Sequence, residues 1–314
     1  MKSKKSTIAL LHPCKERIRH RIVPSAFLIG VLAVTALVSG KGMKAEPGQQ
    51  STGSAPLVKP AVEGVLLAVF ASPAPAQNRG VLIAMGGGNG TPEIYETWRT
   101  LGGGKDAHVV LIPTANNPGE DIAPVINGLK HVFGVQDVIV LDTTDRAKAN
   151  STQFVAPLKQ ATFVFIDGGR QWRLTDAYLN TKVVQELRNV LKRGGAIAGS
   201  SAGASVLASY LVRGDPKTAD VVMAKGHERG FGFLANSAID QHVSERGRQH
   251  DLEPVIAAHP KLLGIGIDPD TIIVVKGDEF EVIGKGKVFI TEAGHPLYSI
   301  SSGGHFDLRR RKLL

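Results

Sequence analysis

Cysteine is almost absent from the chain. Cys14 is the one cysteine in 314 residues, and it lies in an N-terminal arm with the marks of a targeting segment. A mature protein without that arm has no disulfide, no cysteine nucleophile and no cysteine-based metal site. Phosphate-binding signatures are missing too: no P-loop Gly-Lys-Ser/Thr occurs, and the turn Gly86-Gly87-Gly88-Asn89-Gly90 lacks G-x-G-x-x-G spacing although it follows a strand-like run and precedes a helix start. Nucleotide binding is therefore disfavoured. No internal repeat is found. The formal charge of +9 does not describe a basic face either. Residues 1–44 hold nine Lys or Arg and a single acid, Glu16, so nearly all of the excess sits there. That pattern belongs to targeting and argues against a nucleic-acid partner.

What is present begins with that arm. Its positive residues precede the apolar stretch Ile22 to Gly40, which ends in small residues. Residues 1–44 therefore read as a signal peptide or an N-terminal membrane anchor, and export to a periplasmic or extracellular space is expected. Residues 45–78 form a linker and processing region, rich in Pro, Gly, Ser and Gln. It holds a second apolar run, Val65 to Phe70, followed by the small residues Ala74 and Ala76. Residues 79–314 remain for a folded domain, and 43% hydrophobic content supports a real core.

In that domain strand-like and helix-like runs alternate, as in an α/β fold. Strands are expected at Val81 to Met85, His108 to Pro113, Val138 to Leu141 and Ala161 to Ile166. Helices are expected after the cap Thr91-Pro92 and over Ile122 to Phe133, Thr175 to Lys192 and Arg246 to Ala258. Short strands from Gly264 to Ile290, separated by Pro-Asp, Gly-Asp and Gly-Lys-Gly turns, suggest antiparallel hairpins at a sheet edge. Arg309 to Lys312 reads as a solvated tail.

The chemistry centres on Gly199-Ser200-Ser201-Ala202-Gly203, which follows the apolar run Gly195 to Ala198 and leads into helix-forming residues. This is the G-x-S-x-G layout of a nucleophile elbow, with Ser201 as nucleophile. Small neighbours are needed because a serine on a strained strand-to-helix turn leaves no room for side chains beside it. Among ten histidines, His242 stands out as a base, at the exit of a short strand in Ile239-Asp240-Gln241-His242-Val243-Ser244-Glu245-Arg246.

Four segments together resemble the cyanophycinases and their relatives in the S51 serine peptidases: Asp167 to Leu174, Gly199 to Ala204, Ile239 to Arg248 and Leu263 to Asp268. The resemblance implies a doubly wound, mostly parallel α/β sheet with helices on both faces, similar to class I glutamine amidotransferases. It implies a Ser201–His242 hydrolase without cofactor or metal, with an oxyanion hole from the Gly169 and Ala202 N–H groups. Gln171, Asp240, Gln241, Arg246 and Arg248 are placed at the substrate, an acidic peptide such as β-aspartyl-arginine. The family's third, acidic member follows the nucleophile helix; Asp215 is favoured here, with Asp220 and Asp268 as competitors. Gln249-His250-Asp251 stands where cyanophycinases tend to carry another arginine, which separates recognition of cyanophycin from the hydrolase chemistry. A membrane contact through the N-terminal segment and a homodimer are compatible with this reading. Two alternatives stand beside it. An α/β-hydrolase esterase would take His295 or His305 as base, and a catalytically silent module of the same fold would bind a peptide without cleaving it.

Overall fold

The computed structural model describes residues 80–314. The expected signal or anchor at 1–44 and the linker at 45–78 lie outside the described residues. Among the described residues no helix is long and apolar enough to cross a membrane.

In chain order the elements are β1 (Val81–Met85), α1 (Pro92–Gly102), β2 (Val109–Ile112), α2 (Ala123–Phe133), β3 (Ile139–Val140), α3 (Arg146–Ala149), α4 (Thr152–Val155), β4 (Phe163–Ile166), α5 (Gln171–Tyr178), α6 (Lys182–Lys192), β5 (Ala196–Ser200), α7 (Ala202–Ser205), β6 (Ala208–Tyr210) and β7 (Leu234–Gln241). They continue with α8 (Val243–Arg246), α9 (Glu253–Ala258), β8 (Leu263–Ile267), β9 (Thr271–Lys276), β10 (Glu279–Gly284), β11 (Lys287–Thr291), β12 (Tyr298–Ser301), β13 (His305–Asp307) and β14 (Lys312–Leu313).

A nine-stranded sheet runs in the order β14-β13-β10-β9-β1-β5-β4-β2-β3. The run from β1 to β3 is parallel, whereas β9 joins β1 antiparallel and carries the remaining antiparallel strands outward. The apolar runs of β1, β2, β4 and β5 are continuous because both faces are covered, whereas the edge strand β3 keeps only Ile139–Val140 of the expected Val138 to Leu141 and leaves Ile139 exposed. Val81, Ile83, Met85, Phe163 and Phe165 enter the cluster with Trp98 and Phe133 from α1 and α2. Leu82, Ala84, Val164 and Ile166 enter the larger cluster with Leu174, Val183 and Leu187 from α5 and α6. The expected α/β architecture is thus present, as is the Thr91 cap, whose hydroxyl accepts from Ile94 N at 3.2 Å.

Three expectations need correction. The helix expected over Thr175 to Lys192 is two helices, because Asn180 adopts a left-handed conformation (φ 62°) and turns the chain between α5 and α6. Arg246 to Ala258 is not one helix: α8 stops at Arg246 because Gly247 is left-handed (φ 65°), and α9 begins only at Glu253. The C-terminal basic run is no free tail, since Lys312 pairs with Asp307 in the sheet.

The late strands also divide differently. Only β9 and β10 form the expected hairpin on the first sheet. β8 and β11 belong to a five-stranded sheet of order β12-β11-β8-β7-β6, whose Ile265, Ile267, Val288 and Ile290 pack into the larger cluster. In this second sheet β7 runs parallel to β8, and its C-terminal end delivers His242.

Candidate active site

Ser201 sits where β5 gives way to α7, with φ 53° and ψ −113°. Such a backbone costs a non-glycine residue of order 1–3 kcal/mol and persists only where its surroundings enforce it. The enforcement is steric. A Cβ on Gly199 would lie 2.2 Å from the Gly203 carbonyl oxygen, and one on Gly203 would lie 2.1 Å from that of Ile166. Both flanking glycines are therefore required for the strand and the helix to approach. α7 is a single turn, shorter than the sequence suggests, and Ser201 N donates to Met85 O at 2.9 Å, tying the elbow to β1.

His242 follows β7 in a left-handed conformation (φ 54°). Its N–H donates to Gly86 O at 2.8 Å, and its ring lies against Gly87, where a Cβ would come within 2.3 Å of the ring's Cε1. The glycine-rich turn is thus a seat for the histidine. Asp270 holds the turn's shape, accepting from Gly90 N at 2.8 Å while its own N–H donates to Gly87 O.

The two side chains meet: His242 Nε2 is 3.2 Å from Ser201 Oγ. Gln241 Oε1 is 3.4 Å from the same hydroxyl. On the other side of the ring, Nδ1 lies 2.6 Å from Glu245 Oε2. A carboxylate only accepts, so Nδ1 carries the proton and Nε2 presents its lone pair to the serine. Burial and, next, the Arg246 charge lower the His242 pKa below 6.5; the bond to Glu245 acts in the opposite direction. The imidazole is consequently neutral at neutral pH, the form a general base requires.

The Gly168-Gly169 loop closes over Ser201 from β4. A Cβ on Gly168 would be 3.4 Å from Ser201 Cβ, and Gly169 has φ 126° with its Cβ position blocked by Ala115 O. Asp167 braces this loop, accepting from Gly168 N at 2.8 Å and from Asn116 Nδ2 at 3.0 Å; burial raises its pKa. Among the described residues neither Gly169 N nor Ala202 N donates to a protein acceptor.

The remaining expected residues fall in other roles. Asp215 does not reach His242: its carboxylate accepts from Lys217 N at 2.7 Å and Thr218 N at 3.0 Å within its own exposed turn, and these bonds lower its pKa. Asp220 pairs with Thr218, and Asp268 accepts from Ser244 N and Lys287 N, which steadies the turn after His242 without touching the ring. The residue on Nδ1 is Glu245, which the sequence reading passed over although the His-x-x-Glu spacing sets it one helical turn away.

Gln171 is buried and donates to Val212 O at 2.9 Å. Asp240, also buried, does not stand open to a substrate because Arg213 holds it. Arg248 is buried and donates to Gln241 O at 3.2 Å, with burial lowering its pKa to about 10; Arg246 is exposed. His305 lies on β13, four strands from β5 and so roughly 19 Å from the elbow at about 4.8 Å per strand. His295 sits in the β11–β12 connection of the second sheet. No group of three or more His, Cys, Asp or Glu among the described residues is arranged to hold a metal.

The family model described as peptidase family S51 matches residues 82–283, which span the elbow, the Gly168-Gly169 loop and His242. The chain belongs to peptidase family S51. As an S51 peptidase it is a serine-type enzyme, and its similar curated relatives are named cyanophycinase. It is 34% identical over 212 residues to a cyanophycinase of Geminocystis herdmanii, covering 64% of this chain and 75% of that protein. To a cyanophycinase of Nostoc sp. it is 32% identical over 254 residues, covering 71% and 82%. Among solved structures a peptidase from an acI-B1 actinobacterium shares the fold, with a TM-score of 0.60 at 23% identity over 74% of this chain and 98% of that one.

Proposed function

We propose that this S51 peptidase cleaves acidic, aspartyl-containing peptides through an acyl-enzyme on Ser201. The observation that carries the reading is the 3.2 Å approach of His242 Nε2 to a serine hydroxyl on a strained elbow. His242 takes the Ser201 proton as Oγ attacks the peptide carbonyl. The Gly169 and Ala202 N–H groups receive the oxyanion, and His242 then protonates the leaving amine. Water enters and the same base repeats the cycle. Glu245 keeps the proton on Nδ1 and stabilises the imidazolium that forms at each attack.

The substrate class rests on two supports: the relatives named cyanophycinase, and the exposed guanidinium of Arg246 in the turn beside His242, suited to a substrate carboxylate. An exported location, carried by the basic arm and apolar stretch of residues 1–44, belongs to the same proposal. The test is a digestion panel of β-aspartyl dipeptides, cyanophycin and ordinary α-peptides followed by mass spectrometry, with Ser201→Ala as control. Release of free aspartate from the β-aspartyl dipeptides by the wild type and not by the variant is expected. Cleavage that survives in Ser201→Ala refutes the nucleophile, and exclusive cleavage of non-acidic α-peptides refutes the substrate class.

A further inference from the structure

Arg213 lies between Val212 and Gly214 in the loop after β6, with a left-handed backbone (φ 56°) and a side chain only 3% exposed. Its guanidinium grips Asp240 edge-on: Nε donates to Oδ1 at 3.0 Å and Nη2 to Oδ2 at 3.0 Å. Nη2 also reaches the Asp251 carboxylate, and Nη1 donates to Ala219 O at 2.9 Å. Two carboxylates and a carbonyl, drawn from β7, the 248–253 turn and the 213–220 loop, thus form a receptor matched to the planar guanidinium fork. The chain fills that receptor with its own residue.

The receptor adjoins the site. Asp240 is followed by Gln241, which reaches Ser201 Oγ. Arg248, 3.8 Å from Asp240, donates to the Gln241 carbonyl. With Asp240 and Asp251 both engaged by Arg213, the charges left on the His242 side are those of Arg246 and the mostly buried Arg248, opposite Glu245, which is bonded to His242. A substrate arginine entering here would meet cations and find its carboxylates taken.

We propose that Arg213 is a specificity-determining residue: its guanidinium occupies, in cis, the Asp240–Asp251 receptor, so the enzyme takes aspartyl peptides whose second residue is neutral or acidic and rejects those carrying arginine. The proposal deepens the peptidase reading above and rests on it for the substrate.

Two measurements on the full chain test it. The first compares wild-type kcat/KM on β-aspartyl-alanine, β-aspartyl-glutamate and β-aspartyl-arginine. The arginine peptide is expected to be the poorest by about tenfold or more, and a preference for it overturns the proposal. The second compares Arg213→Ala with wild type in low-millimolar methylguanidinium, with equal sodium chloride as control. A saturable rise in Tm, or in refolding yield where the variant is unstable, is expected for Arg213→Ala alone, together with a relative gain of about tenfold on the arginine peptide. If neither Tm nor refolding yield responds, the receptor claim fails. If the wild type cleaves no peptide at all, the hydrolase reading fails instead, and the methylguanidinium response decides the occupancy of the receptor without it.

Discussion

The two sides of the site are built on different principles. On the nucleophile side, Ser201 is held by backbone: Gly199, Gly203, Gly168 and Gly169 let four segments approach so closely that a single added Cβ on three of them would lie within 2.2 Å of a carbonyl oxygen. On the other side, around Arg213, Asp240, Glu245 and Arg248, position is set by charge pairing, from the loop after β6 to β7 and within the turn after His242. Steric demand admits one residue type at each place. Charge pairing admits exchange, because a guanidinium from one loop can answer a carboxylate from another. The first side should therefore be intolerant of small changes, and the second should respond in graded ways.

The largest expected effect is the loss of the proposed nucleophile. Ser201→Ala lowers kcat by about 10⁴-fold or more while leaving Tm near that of wild type, and steady-state kinetics with thermal melts check both. Gly87→Ala comes next. The new methyl meets the His242 ring and displaces the base, and a misplacement of about 1 Å costs about 10²-fold in kcat. A Gly87→Ala enzyme with unchanged kcat would show that the tight side is less constrained than its contacts imply.

Glu245→Gln keeps shape but loses the negative charge on Nδ1. Because the Glu245 side chain is 57% exposed, water compensates in part, and a fall of about tenfold in kcat is expected. Arg246→Ala changes kcat less and gives a different signature, beginning with a higher KM where its guanidinium meets the substrate carboxylate. The Arg246 charge disfavours the imidazolium, so its removal raises the His242 pKa and moves the acid limb of the kcat/KM profile to higher pH. Asp215→Asn should change kcat by less than about twofold, since it removes only a turn cap on an exposed loop. A loss for Asp215→Asn equal to that for Glu245→Gln would reverse the assignment of the acid.

The contrast also explains what could be read from the chain. The elbow's geometry was legible because tiny residues about Ser201 follow from the turn itself. The inner parallel strands were legible because their apolar runs are unbroken, a consequence of burial on both faces. Helix breaks at Asn180 and Gly247 were missed because each depends on one residue turning left-handed within an otherwise helical pattern. Glu245 was missed because Asp215 sits where the resemblance places an acid, and only the left-handed turn at His242 brings the His-x-x-Glu pair into contact. Arg213 gave no local signal, since its partners lie 27 and 38 residues away. The purpose of Gly86 to Gly90 was hidden for the same reason: the group that needs the space, the His242 ring, comes from the other sheet.

The central claim is that Ser201, activated by His242, is the nucleophile, and active-site labelling addresses it most directly. The full chain is treated with a fluorophosphonate, and the modified peptide is mapped by mass spectrometry in wild type, Ser201→Ala and His242→Ala. A single adduct on the peptide bearing Ser201, absent in Ser201→Ala and formed at least about 10²-fold more slowly in His242→Ala, is the result predicted. An adduct on another serine, or labelling of Ser201→Ala at the wild-type rate, would contradict the account.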